Sequence, residues 1–175
     1  MKISKKGQGI AIDFLFAVLI FLAMLNASIM LIDSNNKTVS DKTVLNQLNA
    51  NAEQTIDMLV RTDGMPNDWE MKGIDEITLV GLAKGDRVLE EEKVEKFVQL
   101  AATHSSIDYN KLKSRLLIGY DYYFKISDSG GSILKETGQP SQMLRDKMTA
   151  ASVKRIVNFN GDEVIAEFTV YYPSR

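Results

Sequence analysis

Residues 153–172, "VKRIVNFNGDEVIAEFTVYY", hold two alternating runs around the pair Asn160-Gly161. In the second run Val164, Ala166, Phe168 and Val170 alternate with polar neighbours, the period of a strand with one face buried. Asn-Gly between such runs favours a tight type I′ hairpin turn, because both central residues must take positive φ. The stretch therefore predicts a β-hairpin.

Upstream, "YDYYFKIS" at 120–127 has the same period, with Tyr120, Tyr122, Phe124 and Ile126 on one side. Ser129-Gly130-Gly131 supplies a turn, after which residues 132–135 return beside it. The polar residues 136–151 read as a loop. Earlier still, Val94, Phe97, Val98 and Ala101 give residues 90–103 a helical face, with Glu90, Glu91 and Glu92 at its positive end. Asp108 caps a second short helix with Leu112, Leu116 and Leu117 inward and Gly119 ending it. The run "ITLVGLA" at 77–83 reads as a strand or a buried loop.

Towards the N-terminus the pattern becomes helical. Leu45, Leu48, Ala52, Ile56 and Leu59 recur at spacings of three and four, with Val44 and Val60 widening the stripe. Gly64 offers a C-terminal cap and Pro66 forbids continuation. Before this stripe lies an apolar run, residues 10–32, broken by Asp13 and Asn26. A bilayer core takes roughly 20 apolar residues of helix. Lys2, Lys5 and Lys6 precede the run, whereas Asp33 and Ser34-Asn35-Asn36 follow it, which argues for a cytoplasmic N-terminus with the remaining chain outside.

The organisation expected is thus residues 8–32 as a hydrophobic transmembrane helix, 33–63 as its amphipathic continuation, and 64–175 as an extracellular head. The fold class expected is α+β, a long N-terminal helix with a transmembrane and an amphipathic half, packed on an antiparallel sheet with short helices. Composition narrows the chemistry. The 175 residues include no cysteine, one histidine and a formal charge of −2. Disulfides and thiolate metal sites are therefore excluded, and no basic footprint for nucleic acid exists. His104 ends a helix, where an imidazolium offsets the dipole. No nucleophile–base pair or metal constellation is visible, so no catalytic residue, cofactor or metal is expected and the chain is read as non-enzymatic. The "GQG" glycines at 7–9 precede no phosphate cradle. Tyr120, Tyr122, Tyr123, Tyr171 and Tyr172 are ordinary strand residues before they are a carbohydrate platform. Asn36-Lys37-Thr38 makes Asn36 a formal glycosylation acceptor; Asn26-Ala27-Ser28 is another but falls inside the apolar run.

The order of lysines, Gly7, Gln8, Asp13 and an apolar helix resembles the class III signal peptides of archaeal type IV pilin-like proteins. The resemblance implies that a prepilin peptidase removes residues 1–7 as a leader, cutting between Gly7 and Gln8. It implies a pilin-like fold and a structural, non-enzymatic subunit of a surface filament, held in membrane lipid and then assembled with copies of itself or with similar subunits; cell adhesion is a typical role of such filaments. The family's acid usually stands at the fifth mature position, whereas a cut before Gln8 puts Asp13 at the sixth. A buried carboxylate needs a partner, and the new α-amino group of a neighbouring subunit supplies one, so Asp13 is the expected assembly residue. The competing reading is a single-pass, membrane-anchored extracellular binding, sensor or adhesion domain.

Overall fold

The computed structural model describes the backbone of residues 5–102, 106–139 and 148–173, and the side chains of 14–30, 42–102, 107–139 and 148–172. The chain separates into two compact units, Met1–Val44 and Leu45–Arg175. Helix α1, Lys5–Arg61, contributes to both.

In the second unit, Leu48, Ala52, Ile56, Leu59 and Val60 are fully buried, while Leu45 at the edge of the stripe is 38% exposed. A helix end leaves carbonyls without partners. Here Leu59, Val60 and Thr62 accept from the amides of Leu82, Arg87 and Ala83 at 2.8, 2.9 and 3.1 Å. Gly64 follows at φ +86°, and a Cβ there would lie 2.5 Å from Cδ1 of Trp69, so both backbone and packing demand glycine. Trp69, in a 3-10 turn at Trp69–Met71, is buried and donates to the Gly81 carbonyl at 2.8 Å. Residues 77–82 form a loop with one bridge, Met65 to Leu79, whose Ile77, Val80 and Leu82 are inside, and buried Ala83 opens the strand that follows.

Short strands β1, Ala83–Gly85, and β2, Val88–Leu89, lead to helices α2, Glu91–Ala102, and α3, Ser106–Arg115. Strands β3, Asp121–Ser127, β4, Ile133–Gly138, β5, Met148–Phe159, and β6, Asp162–Pro173, complete a six-stranded sheet in the order β1-β2-β5-β6-β3-β4. Strands β5 and β6 form the hairpin, paired in register from Phe159↔Asp162 out to Met148↔Pro173. Asn160 and Gly161 take φ of +56° and +95°, the positive values that such a turn needs.

One sheet face carries the core. Tyr122, Phe124, Phe168 and Val170 are fully buried on it. Phe97 of α2 meets Phe124 edge-on at 5.5 Å, and Tyr109 of α3 stacks on Tyr122 at 5.4 Å, which itself stacks on Phe168 at 5.3 Å. Arg155 on the same face ties β5 to Asp57 of α1 through bonds of 2.8 and 3.3 Å.

Several expectations are corrected. Among the described residues no helix is long and apolar enough to cross a membrane. The fold class with a transmembrane half is therefore withdrawn, and with it the pilin-like assignment of the fold. The sheet is mixed rather than antiparallel, because β2 runs parallel to β5. Residues 136–138 and 148–151, expected in a loop, belong to β4 and β5; a local polar composition hid strands whose pairing is non-local. Leu117 is 76% exposed, not inward, because α3 stops at Arg115 and Leu117 itself takes φ +58°. Asp108 lies within the first turn of α3 rather than capping it.

Candidate functional site

The clearest surface feature is the apolar length of α1. From Phe14 at 72% exposure to Met30 at 75%, twelve large apolar side chains project outward, in no single stripe. Consecutive residues 18–22 are all exposed, so every direction around the axis is apolar. The polar side chains in the segment turn back on their own helix. Asn26 Nδ2 donates to the Leu22 carbonyl and Ser28 Oγ to the Met24 carbonyl, each at 2.9 Å. Such bonds to the residue four positions earlier satisfy polar groups without water. Sequence reading weighed Asn26 only as a glycan acceptor and missed this; the i−4 spacing was the available signal.

Gly7, Gln8, Asp13 and Asn36 all fall on the backbone of α1, and the side chains of Gln8, Asp13 and Asn36 lie outside the described residues. His104 also lies outside them. Glu90 pairs with Lys93 at 3.0 Å, and Glu91 and Glu92 occupy the first turn of α2. Lys93 is only 3% exposed, a burial the charge pattern of the helix did not announce. The tyrosines do not share one surface: Tyr122 and Tyr171 are buried, Tyr123 donates to Glu136, and Tyr120 meets Tyr172 edge-on at 5.8 Å.

Within the head, Tyr109, Lys113 and Asp121 make a polar cluster over the aromatic core. The Lys113 ammonium stands 3.1 Å from Asp121 and 5.2 Å from the centre of the Tyr109 ring, and Tyr109 Oη accepts from the Tyr122 amide at 3.2 Å. Burial pushes the Tyr109 phenol far above its ordinary range and does the same to Tyr122. Tyr109 Oη donates to Asp121 at 3.4 Å, whereas the Tyr122 Oη is buried without a hydrogen-bond partner among the described residues and its ring serves packing.

On the opposite sheet face, burial raises the Glu167 carboxyl, but a hydrogen bond from Ser152 and the Lys125 and Lys154 ammoniums more than offset it, holding it below the ordinary value. A groove of about 500 Å³ is lined by Glu70, Met71, Glu92, Glu95, Lys96 and Gln99. Ligand pockets of that size are mostly apolar with a few convergent polar groups; five of these six linings are polar or charged. Among the described residues no group of three or more His, Asp or Glu side chains is placed to hold a metal ion.

Comparison of the chain with protein-family models, with curated proteins and with solved structures returns no match.

Proposed function

We propose that this chain is a non-enzymatic structural subunit of a surface filament of the archaeal type IV pilus kind, assembled through its N-terminal helix. The observation that carries the reading is the segment 14–30, apolar all round, with its polar side chains bonded inward. A contiguous apolar surface of this extent demands a cover. Lipid covers it before assembly, and the same segment of neighbouring copies covers it afterwards. The leader-like lysines, Gly7 and Gln8 support processing by a prepilin peptidase before assembly, and Asp13 supplies a carboxylate for a neighbour's new amino terminus.

The test is filament yield by electron microscopy beside membrane-fraction abundance. Asp13→Ala is expected to leave abundance unchanged or raised, since removing a charge eases residence in an apolar medium. Filaments should nevertheless be lost, because the neighbour's ammonium is left unpaired. Asp13→Glu is expected to be milder. Normal filaments from Asp13→Ala would sink the pairing, and a wild-type chain that stays monomeric with its native partners present would favour the anchored binding domain.

A further inference from the structure

The sheet face opposite the core carries a pattern that register alone reveals. Strand residues alternate between faces, and Phe124, Phe168 and Ala166 point to the core, so their sequence neighbours point away. Direct pairing then lines up Ile156, Ile165, the buried Ser127 and Ile133 across β5, β6, β3 and β4, with Ile133 brought into the row by a register shift in the β3–β4 pairing between Ile126 and Ser127. The next row along the strands reads Lys154, Glu167, Lys125 and Glu136. Ile156 is 63% and Ile133 51% exposed. Glu167 sits between its two lysines at 3.2 and 3.5 Å.

The charged row alternates plus, minus, plus, minus, and such a row is complementary to its own reverse. A two-fold axis parallel to the strands, passing between β6 and β3, lays the face on a second copy with each row reversed. Lys154 then meets Glu136 of the second copy, and Lys125 meets its Glu167. Ile156 meets Ile133, and Ile165 meets Ser127. The same register serves the charged and the apolar row at once, which is what an isologous contact requires. We infer that this face is a self-association surface, and that its partner is the same face of a second copy of this chain.

The contact is small. Four strands span roughly 14 Å, and two rows bury well below the about 800 Å² per partner of a stable interface. It therefore operates where copies are concentrated, as between heads held side by side. The proposal concerns residues 121–171 alone and does not depend on the filament reading.

The chain has no cysteine, so introduced thiols report without background. Ile133→Cys and Ile156→Cys in one chain lie about three strand spacings apart, roughly 14 Å, too far for a short bis-maleimide to bridge internally. The full chain in detergent at high concentration is expected to give cross-linked dimer from this double variant and little from either single variant. Adding Lys154→Glu, which sets acid against Glu136 of the second copy, should lower the dimer yield about five-fold. Adding Glu136→Lys to that chain should restore it, since the row becomes minus, minus, plus, plus and again matches its reverse. Lys154→Gln gives the same direction of loss without setting an acid beside Glu167, and fluorescence of the single, buried Trp69 verifies folding in each variant. Absence of dimer from the double variant, equal dimer from the single variants, or a yield indifferent to Lys154→Glu overturns the proposal. Association through residues 14–30 would produce the last two outcomes.

Discussion

Asp57 and Arg155 show how much one pair can reveal about a packing direction. The Arg155 hydrogen bond holds the Asp57 carboxyl below its ordinary 3.8, with burial opposing and the charges of Arg155, Arg61 and Arg87 assisting. A depressed folded value means that the unfolded chain takes up protons first as pH falls. The stabilisation is therefore complete above about pH 4 to 5 and disappears as pH drops through the folded value. The Asp57 side chain is 36% exposed, so solvent screening keeps the pair near about 0.5–1 kcal/mol. Asp57→Asn should cost about that much in urea unfolding at pH 7 and progressively less as pH falls below about 4; a cost that does not change with pH would refute the linkage. Two glycines provide a second contrast at this scale. Gly161 has φ +95° with nothing near a Cβ, whereas Gly138 has φ +108° with the Tyr122 carbonyl oxygen 2.3 Å from one. Gly161→Ala should cost about 1 kcal/mol of backbone strain, and Gly138→Ala distinctly more, read from the same unfolding curves. Equal costs would mean that β4 shifts freely away from β3.

At the scale of elements, legibility followed the locality of the forces. The β5–β6 hairpin was readable because alternation and turn chemistry lie within twenty consecutive residues. The parallel pairing of β2 with β5 was not, since it joins Val88 to Asn158 and leaves no local pattern. Helix α3 was legible through Leu112, and Leu116 just beyond it is buried as expected, but Leu117 is exposed because the helix ends at Arg115, four residues before Gly119. The stripe of α1 from Leu48 to Leu59 was legible because its spacing is that of one helix face, and each of its members is fully buried. Leu48→Asp should destabilise the head by about 3–5 kcal/mol, since it places an unpaired carboxylate where no water reaches. Thermal unfolding of the full chain, followed by Trp69 fluorescence, measures it. An unchanged midpoint would mean that the stripe packs against nothing in the head.

At the scale of the whole molecule, the two units pose different physical problems. The unit Leu45–Arg175 buries an aromatic core of its own, built from Phe97, Tyr109, Tyr122, Phe124 and Phe168. The apolar surface of residues 14–30 has no such closure, and the function proposed here rests on what covers it. Its composition was legible in the sequence, and the inward bonds of Asn26 and Ser28 follow from the four-residue spacing once the segment is helical. The segment's partners are set by other molecules, so neither the sequence nor the fold of one chain contains them. The measurement that meets the central claim most directly is the intact mass of this protein in filaments sheared from the surface of the cells that make it. The account predicts a chain that begins at Gln8, seven residues shorter than the sequence, recovered as a filament component. A chain retaining Met1, found only in the membrane fraction and never in filaments, would contradict it.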